Sequence, residues 1–118
     1  FKLLKKLNSA PHIYLVEPIG YLDFLALMKD SLFVLTDSGG IQEETTYLKI
    51  PCLTVRKNTE RPVTIYEGSN QLIKANKITE KVHDILKGNI KIGHIPKFWD
   101  GKTASRIVKI LENTNLHN

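Results

Sequence analysis

Short strand-like and helix-like segments alternate along the chain, and this alternation restricts its fold more than any other feature. Helical spacing of apolar residues predicts helices over 1–8, 21–29, 39–48, 59–66 and 78–86, and a last helix capped by Asp100 or Thr103. Apolar and β-branched runs predict strands over 12–16, 32–35, 52–55 and 71–73, with strand 32–35 buried on both faces. Residues 89–99 are expected to be an irregular connection. This order of segments predicts an α/β fold, with helices on both faces of a parallel sheet.

The length of 118 residues suits one compact domain. The sequence begins with Phe1 and not with Met, so we interpret it as part of a longer protein. The single cysteine, Cys52, cannot form an internal disulfide, which mildly favours a reducing compartment. The longest apolar run is 24–28, whereas a membrane span needs about 20 residues, and no signal peptide is recognisable at the start. We therefore expect a cytoplasmic protein without a membrane partner.

The charge balance is 17 basic against 12 acidic side chains, a net charge of +5 that is compatible with an anionic ligand. Because the lysines are scattered and no basic run is interleaved with aromatic residues, a nucleic-acid partner is disfavoured. The four histidines and Cys52 lack the spacing of a zinc site. We expect neither a bound metal ion nor a cofactor.

The first candidate site follows strand 32–35, where Thr36-Asp37-Ser38-Gly39-Gly40 leads into a helix. A helix start carries unpaired amides and a partial positive charge, so it favours an anion. Gly39 and Gly40 would let backbone amides approach a phosphate or a sugar closely. The alternative is a plain turn in which Ser38 caps the helix, and a glycine pair alone does not decide between the two.

Glu44 is the second candidate. At about 100° per residue, it falls within the arc of Ile41, Tyr47 and Leu48, which we take to be the buried face of the helix. A buried carboxylate is costly unless it is paired. Its partner could be a ribose, whose two hydroxyls can both donate to one carboxylate, or a nearby arginine inside the fold.

Arg61 lies in the segment Arg56-Lys57-Asn58-Thr59-Glu60-Arg61-Pro62, which follows the strand predicted over 52–55. Ligands of parallel sheets bind outside the carboxyl ends of the strands, where a guanidinium can fork onto phosphate oxygens. The alternative is a surface turn with an Arg–Glu pair of little energetic value. Trp99 is predicted to belong to a docking turn before the last helix and not to a site.

With these motifs the sequence resembles the UDP-N-acetylglucosamine 2-epimerases of the non-hydrolysing type. The resemblance rests on residues 36–44, on Pro51, Arg56 and Gly68, and on Thr59-Glu60-Arg61-Pro62. It extends to residues 18–24 and to the ending from Trp99 to Ile107, so it covers nearly the whole chain. It implies a GT-B architecture, in which two Rossmann-like halves enclose a nucleotide sugar, with residues 1–118 forming most of the nucleotide-binding carboxyl-terminal half.

The resemblance also implies roles for individual residues. Ser38, Gly39 and Gly40 would approach the diphosphate, Glu44 would take the ribose hydroxyls, and Arg61 would lie near the phosphates or the cleft. The reaction implied is inversion at C2 between UDP-GlcNAc and UDP-ManNAc, through elimination and re-addition of UDP. The residues that transfer the proton are expected in the amino-terminal half, which this chain lacks, so we predict no catalytic residue here. The resemblance further implies a UDP-sugar substrate and a homodimer for the full-length protein.

Three alternatives remain open. The protein could act on another UDP-2-acetamido sugar, or it could be a hydrolysing relative that releases free ManNAc. It could be the nucleotide-binding half of a GT-B glycosyltransferase, although we associate Thr59-Glu60-Arg61-Pro62 with epimerases. It could also be a non-catalytic UDP-binding or oligomerisation module.

Overall fold

The computed structural model describes residues 5–7 and 9–114. Its helices and strands, in chain order, are α1 (Tyr21–Lys29), β1 (Val34–Thr36), α2 (Gly39–Leu48), β2 (Cys52–Thr54), α3 (Val63–Tyr66), β3 (Asn70–Leu72), α4 (Ile78–Leu86) and α5 (Thr103–Asn113). A short 3-10 helix, Ala75–Lys77, leads into α4. Of the helix predicted over 1–8, residues 5–7 are helical and the rest lie outside the described residues.

The three strands form one parallel sheet in the order β1-β2-β3. Val34 pairs with Cys52 in the first ladder, and Cys52 pairs with Asn70 in the second. Each crossover contains a helix, α2 between β1 and β2 and α3 between β2 and β3. This arrangement confirms the predicted α/β fold with a parallel sheet.

The two faces of the sheet are covered differently. Leu53 of β2 points to the face covered by α4, where it forms the apolar core with Ile73 and Ile85. Thr54 points to the opposite face, toward α2, because successive strand residues alternate between faces. The face toward α2 is polar, since the buried residues of α2 are Gln42, Thr45 and Thr46. Helices therefore lie on both faces, as predicted.

Two strand predictions need correction. The segment predicted as a strand over 12–16 has no regular structure, and its Tyr14 and Val16 are exposed by 84% and 69%. A β-type sequence needs a neighbouring strand to accept its hydrogen bonds, and none pairs with this segment in the described chain. Strand β1 is not buried on both faces either, because it forms an edge of the described sheet and its Leu35 is 44% exposed. The strand buried throughout is the central one, β2.

The short helix predicted over 59–66 begins only at Val63, immediately after Pro62. Residues before it form a loop, in which the Thr59 hydroxyl accepts a hydrogen bond from the Arg61 amide at 3.0 Å. The remaining predicted helices lie where the sequence indicated them, and residues 89–99 contain no helix or strand. The predicted cap of the last helix is wrong, because Lys102 occupies the cap position and Thr103 is already helical. Asp100 accepts from the Lys102 amide, outside the helix.

Helix α5 is amphipathic, but no residue of it is buried. Its apolar stripe of Ile107, Val108, Ile110 and Leu111 is more than half exposed. Among the described residues, no helix combines the length and the apolar character that crossing a bilayer requires.

A tight turn precedes α5 and fixes the position of Trp99. Asp100 accepts hydrogen bonds from the Lys102 amide at 3.0 Å and from the Arg106 guanidinium. The same guanidinium lies 4.8 Å from the centroid of the Phe98 ring, a residue in the left-handed backbone region with φ 73°. The hydrogen bonds that Asp100 accepts lower its pKa, chiefly the bond from Arg106 and then the bond from the Lys102 amide.

We predict that Asp100→Asn destabilises the protein in a pH-dependent way. A carboxylate with a lowered pKa stabilises the fold above its unfolded pKa of about 3.9, and this contribution is lost as the pH falls through the folded pKa. Urea unfolding at neutral pH should therefore show wild type as the more stable protein, and the difference should close below about pH 4. A difference that stays constant down to pH 3 would contradict this role of the Asp100 charge.

Close packing at Gly68 joins the Thr46 side chain of α2, the backbone of α3 and the segment 89–99. A Cβ on Gly68 would lie 2.3 Å from the Thr46 hydroxyl and 2.6 Å from the Thr64 carbonyl oxygen. A Cβ on Gly93 would lie 2.2 Å from the Gly68 carbonyl carbon. The two glycines therefore allow backbone segments to touch where no side chain fits.

Gly68→Ala should destabilise the fold by roughly 1–3 kcal/mol, because the added methyl overpacks a buried site. Gly40→Ala is the matched control, since a Cβ there meets nothing within 4 Å. Chemical denaturation of both variants checks the expectation. Equal stability of the two variants would show that the packing at Gly68 can relax.

Candidate functional site

The carboxyl ends of β1 and β2 bring two loops together at one edge of the sheet. The loop after β1 contains Ser38 and opens α2, and the loop after β2 spans residues 55–62. They begin side by side, because the Val55 amide donates to the Thr36 carbonyl at 2.8 Å. The two motifs singled out in the sequence therefore belong to one site.

The start of α2 leaves donors unused. Ser38 occupies the cap position in an extended conformation, but its side chain makes no capping hydrogen bond. Its own amide donates to the Thr36 hydroxyl at 3.0 Å. The first amides of a helix have no partner within the helix, and together they carry a partial positive charge. Ser38 therefore holds the cap position that the plain-turn alternative required, but without the capping hydrogen bond, which leaves room for an external acceptor at the helix start.

Two guanidinium groups lie over this helix start. A Cβ placed on Gly39 would be 3.2 Å from a terminal nitrogen of Arg61 and 3.8 Å from one of Arg56. A Cβ on Gly40 meets no atom within 4 Å, so the packing of the fold does not explain a glycine there. The site thus combines open space at Gly40 with cationic hydrogen-bond donors, an arrangement suited to an anion with several oxygens.

Carboxylates orient both arginines. Arg61 donates from Nε to Glu43 at 2.7 Å, and Arg56 donates to Glu60 at 3.1 Å. The hydrogen bond to Glu43 raises the pKa of Arg61, and the pKa of Glu60 is lowered by a backbone hydrogen bond and by Arg56. Glu43 takes the Nε of Arg61, and one terminal nitrogen of the same guanidinium lies beside Gly39, 3.8 Å from a Glu60 carboxylate oxygen. The surface-turn alternative is met in part, since Arg56 and Glu60 of this segment form an ion pair. The pair of Arg61 with Glu43, which the sequence did not predict, holds the second guanidinium beside Gly39.

Glu44 requires a correction. The face of α2 that contacts the sheet carries Gln42, Thr45 and Thr46, so the arc that contains Glu44 is not the buried face. Glu44 is half-buried and lines an open cavity of about 460 Å³ between α1 and α2, and Tyr47 on the same arc is 55% exposed. Glu44 also lacks the arginine partner of the alternative interpretation in Arg61, because Arg61 pairs with Glu43 and Glu60.

The cavity beside Glu44 is mainly apolar and aromatic. It is lined by Tyr21, Leu25, Glu43, Glu44, Tyr47, Leu48 and Trp99. The pKa of the Tyr21 phenol is raised, chiefly by its interaction with the neighbouring Glu44 carboxylate and also by desolvation. A carboxylate beside flat apolar walls can take a ligand that combines hydroxyl groups with a planar ring.

Sequence reasoning missed Tyr21, Glu43 and Trp99 as parts of the site. Trp99 lies 55 positions after Glu44, so only the tertiary fold brings the two to one cavity. Glu43 could have been recognised from its place one turn inside a helix that starts at a candidate anion-binding loop. Among the described residues, no group of three potential metal ligands occurs.

The chain matches known proteins over nearly its whole length. The family model described as UDP-N-acetylglucosamine 2-epimerase matches residues 1–112. The UDP-N-acetylglucosamine 2-epimerase of Methanocaldococcus jannaschii is 47% identical over 113 residues, which are 94% of this chain and 30% of that protein. The enzyme of the same name from Escherichia coli K12 is 37% identical over 117 residues, which are 93% of this chain and 31% of that protein.

Solved structures give the same result. The M. jannaschii UDP-GlcNAc 2-epimerase in complex with UDP-GlcNAc and UDP superposes with a TM-score of 0.71 at 44% identity, covering 96% of this chain and 31% of that one. The S. aureus MnaA–UDP structure superposes with a TM-score of 0.77 at 31% identity, covering 92% and 31%. The likeness confirms the Rossmann-like character of the fold as one half of a GT-B architecture, and the chain spans about a third of the length of these relatives. Because the family model and close relatives match over more than nine-tenths of it, this chain belongs to the UDP-N-acetylglucosamine 2-epimerase family.

Proposed function

We propose that residues 1–118 form the carboxyl-terminal, nucleotide-binding domain of an enzyme that interconverts UDP-GlcNAc and UDP-ManNAc. The observation that carries the proposal is the open helix start at Ser38, Gly39 and Gly40, with the Arg61 guanidinium 3.2 Å from where a Gly39 Cβ would be. Two linked phosphates offer the acceptor oxygens that such a cluster of donors requires. The bound UDP-GlcNAc and UDP of the M. jannaschii relative support the same ligand class.

The diphosphate occupies the space above Gly40 in this proposal. Free amides of α2 and the Ser38 hydroxyl donate to one side of it, and Arg61 donates to the other. A departing UDP carries its developing negative charge on the diphosphate, so donors fixed in advance at this point favour the elimination of UDP. The binding site thereby contributes to the reaction as well as to affinity.

Glu44 accepts the two ribose hydroxyls in this proposal. It lies one helical turn beyond Gly40 on α2, about 6 Å along the axis, a separation that suits the distance from phosphate to ribose. The apolar cavity walls, including Tyr21 and Trp99, provide space for the base. The partial exposure of Glu44 supports this role, because the carboxylate lines an open cavity that a ligand can enter.

Proton transfer at C2 belongs to residues outside this chain. A base must lie within hydrogen-bond reach of the proton that it removes, and one wall of the cleft cannot surround the sugar. The exposed apolar stripe of α5 supports a second half of the enzyme, since an uncovered stripe of this kind favours a protein partner.

We further propose that the full-length enzyme is a cytoplasmic homodimer.

Gly40→Ala tests the diphosphate site. In the full-length protein we expect UDP affinity to fall about tenfold, since the methyl occupies the ligand's space and charged hydrogen bonds are worth about 1.5–3 kcal/mol each. Conversion of UDP-GlcNAc to UDP-ManNAc should fall with it, while stability holds or rises, because alanine favours a helix over glycine. Calorimetric titration with UDP, product analysis and thermal unfolding check these outcomes. Unchanged affinity would favour a plain turn.

Glu44→Gln tests the ribose site. The amide keeps the shape but loses the charge, so we expect the affinities for UDP and uridine to fall together by about tenfold. The pKa of Tyr21 should fall, because the neighbouring negative charge is gone. Titration with both ligands and ultraviolet titration of the phenol measure these effects.

Glu43→Gln is the matched control for Glu44→Gln. It releases Arg61 and should weaken UDP alone, since uridine has no phosphate for that guanidinium. If Glu43→Gln lowers uridine affinity more than Glu44→Gln does, the assignment of the ribose ligand is wrong.

A further inference from the structure

The sheet-facing side of α2 carries Gln42, an amide that is completely buried and bonded at both ends. Its Nε2 donates to the Ser38 carbonyl at 3.0 Å. Its Oε1 accepts hydrogen bonds from the Thr59 hydroxyl at 2.7 Å and from the Asn70 amide at 3.0 Å. One side chain therefore connects the loop after β1 with the loop after β2.

Thr59 extends this connection to Arg61. Its hydroxyl donates its single proton to Gln42 and accepts a hydrogen bond from the Arg61 amide at 3.0 Å. The resulting chain of hydrogen bonds runs from the Arg61 backbone through Thr59 and Gln42 to the Ser38 carbonyl. Every hydrogen bond in this chain has one defined donor and one defined acceptor, so the orientations of the Gln42 and Thr59 side chains are fixed.

The other side of the Arg61 peptide is held as well. The Arg61 carbonyl accepts from the Thr64 hydroxyl at 2.8 Å, and Thr64 accepts from Asn70 at 3.1 Å. Asn70 is fixed in turn by the Thr54 hydroxyl at 2.7 Å. The backbone of Arg61 is thus bonded at both its amide and its carbonyl, while Glu43 holds its guanidinium.

Stability alone gives little reason for so many polar groups at this place. Burying an amide or a hydroxyl is costly even when it is bonded, and apolar residues of equal volume would cover the sheet at lower cost. A fully satisfied polar network does fix geometry more closely than an apolar contact, because each bond has a required direction. The position that this network fixes is that of Arg61 relative to the start of α2.

We propose that Gln42 and Thr59 are positioning residues, which set Arg61 at the distance from the α2 amides that a diphosphate spans. The inference rests on the proposed function of the site. Neither Gln42 nor Thr59 contacts the ligand in this proposal. Both act through the Arg61 backbone. Loss of their hydrogen bond lowers the affinity for the diphosphate and leaves the nucleoside contacts unchanged.

Thr59→Val in the full-length protein is the test, because valine keeps the shape and removes the hydroxyl. We expect UDP affinity to fall about three- to tenfold, the value of one or two neutral hydrogen bonds, and uridine affinity to stay within about twofold. Thr59→Ser, which keeps the hydroxyl, should bind UDP with the affinity of the wild type. Calorimetric titrations with UDP and uridine give the ratio of the two affinities.

Thr46→Val is the matched control, since the Thr46 hydroxyl is buried on the same helix and has no hydrogen-bond partner among the described residues. It should leave the ratio of UDP to uridine affinity unchanged. Circular dichroism checks that each variant is folded, and Thr59→Ala replaces Thr59→Val if the valine variant is not.

Two results would overturn the proposal. In a folded Thr59 variant, either an unchanged UDP affinity or an equal loss for UDP and uridine would show that the network does not position the phosphate donors. A wild-type protein that binds UDP no more tightly than uridine would instead contradict the diphosphate site itself.

Discussion

The parallel pairing of β1 with β2 is the constraint on which the site depends. Val34 is in register with Cys52, and the Val55 amide donates to the Thr36 carbonyl at 2.8 Å, so both strands end at the same level. In parallel strands the carboxyl ends share one edge, and the loops that follow them meet there. A shift of this register would separate Arg61 from the start of α2 and remove the cluster of donors.

Helix α2 carries different groups at its amino-terminal end, on its sheet-facing side and on its outward side. Its amino-terminal end presents free amides beside Arg61 and Arg56, whereas its sheet-facing side is a polar network centred on Gln42. Its outward side carries Glu43 and Glu44, which both line the cavity, and Glu43 is also bonded to Arg61. Because one rigid helix holds all of these groups, their relative positions are set by helical geometry and by the bonds of Gln42.

Local patterns in the sequence were enough for most of the secondary structure, for the parallel sheet and for the cluster of Ser38, Gly39 and Gly40 at a helix start. Apolar spacing and glycine placement act over a few residues, so they can be interpreted without knowledge of the fold. The same patterns failed for residues 12–16 and for β1, because the burial of a strand depends on its neighbours in the sheet. The amphipathic pattern of α5 likewise predicted a helix but not what covers it.

The sequence by itself determined the order of helices and strands, and its motifs marked the residues that we propose as an anion site. Only the tertiary structure decided that Glu43, and not Glu44, pairs with Arg61, that Glu44 faces an open cavity, and that Trp99 lines this cavity. It also decided that the buried side of α2 is polar. The physical reason is that helical periodicity determines which residues share a face, whereas the direction of that face depends on contacts between residues far apart in the chain.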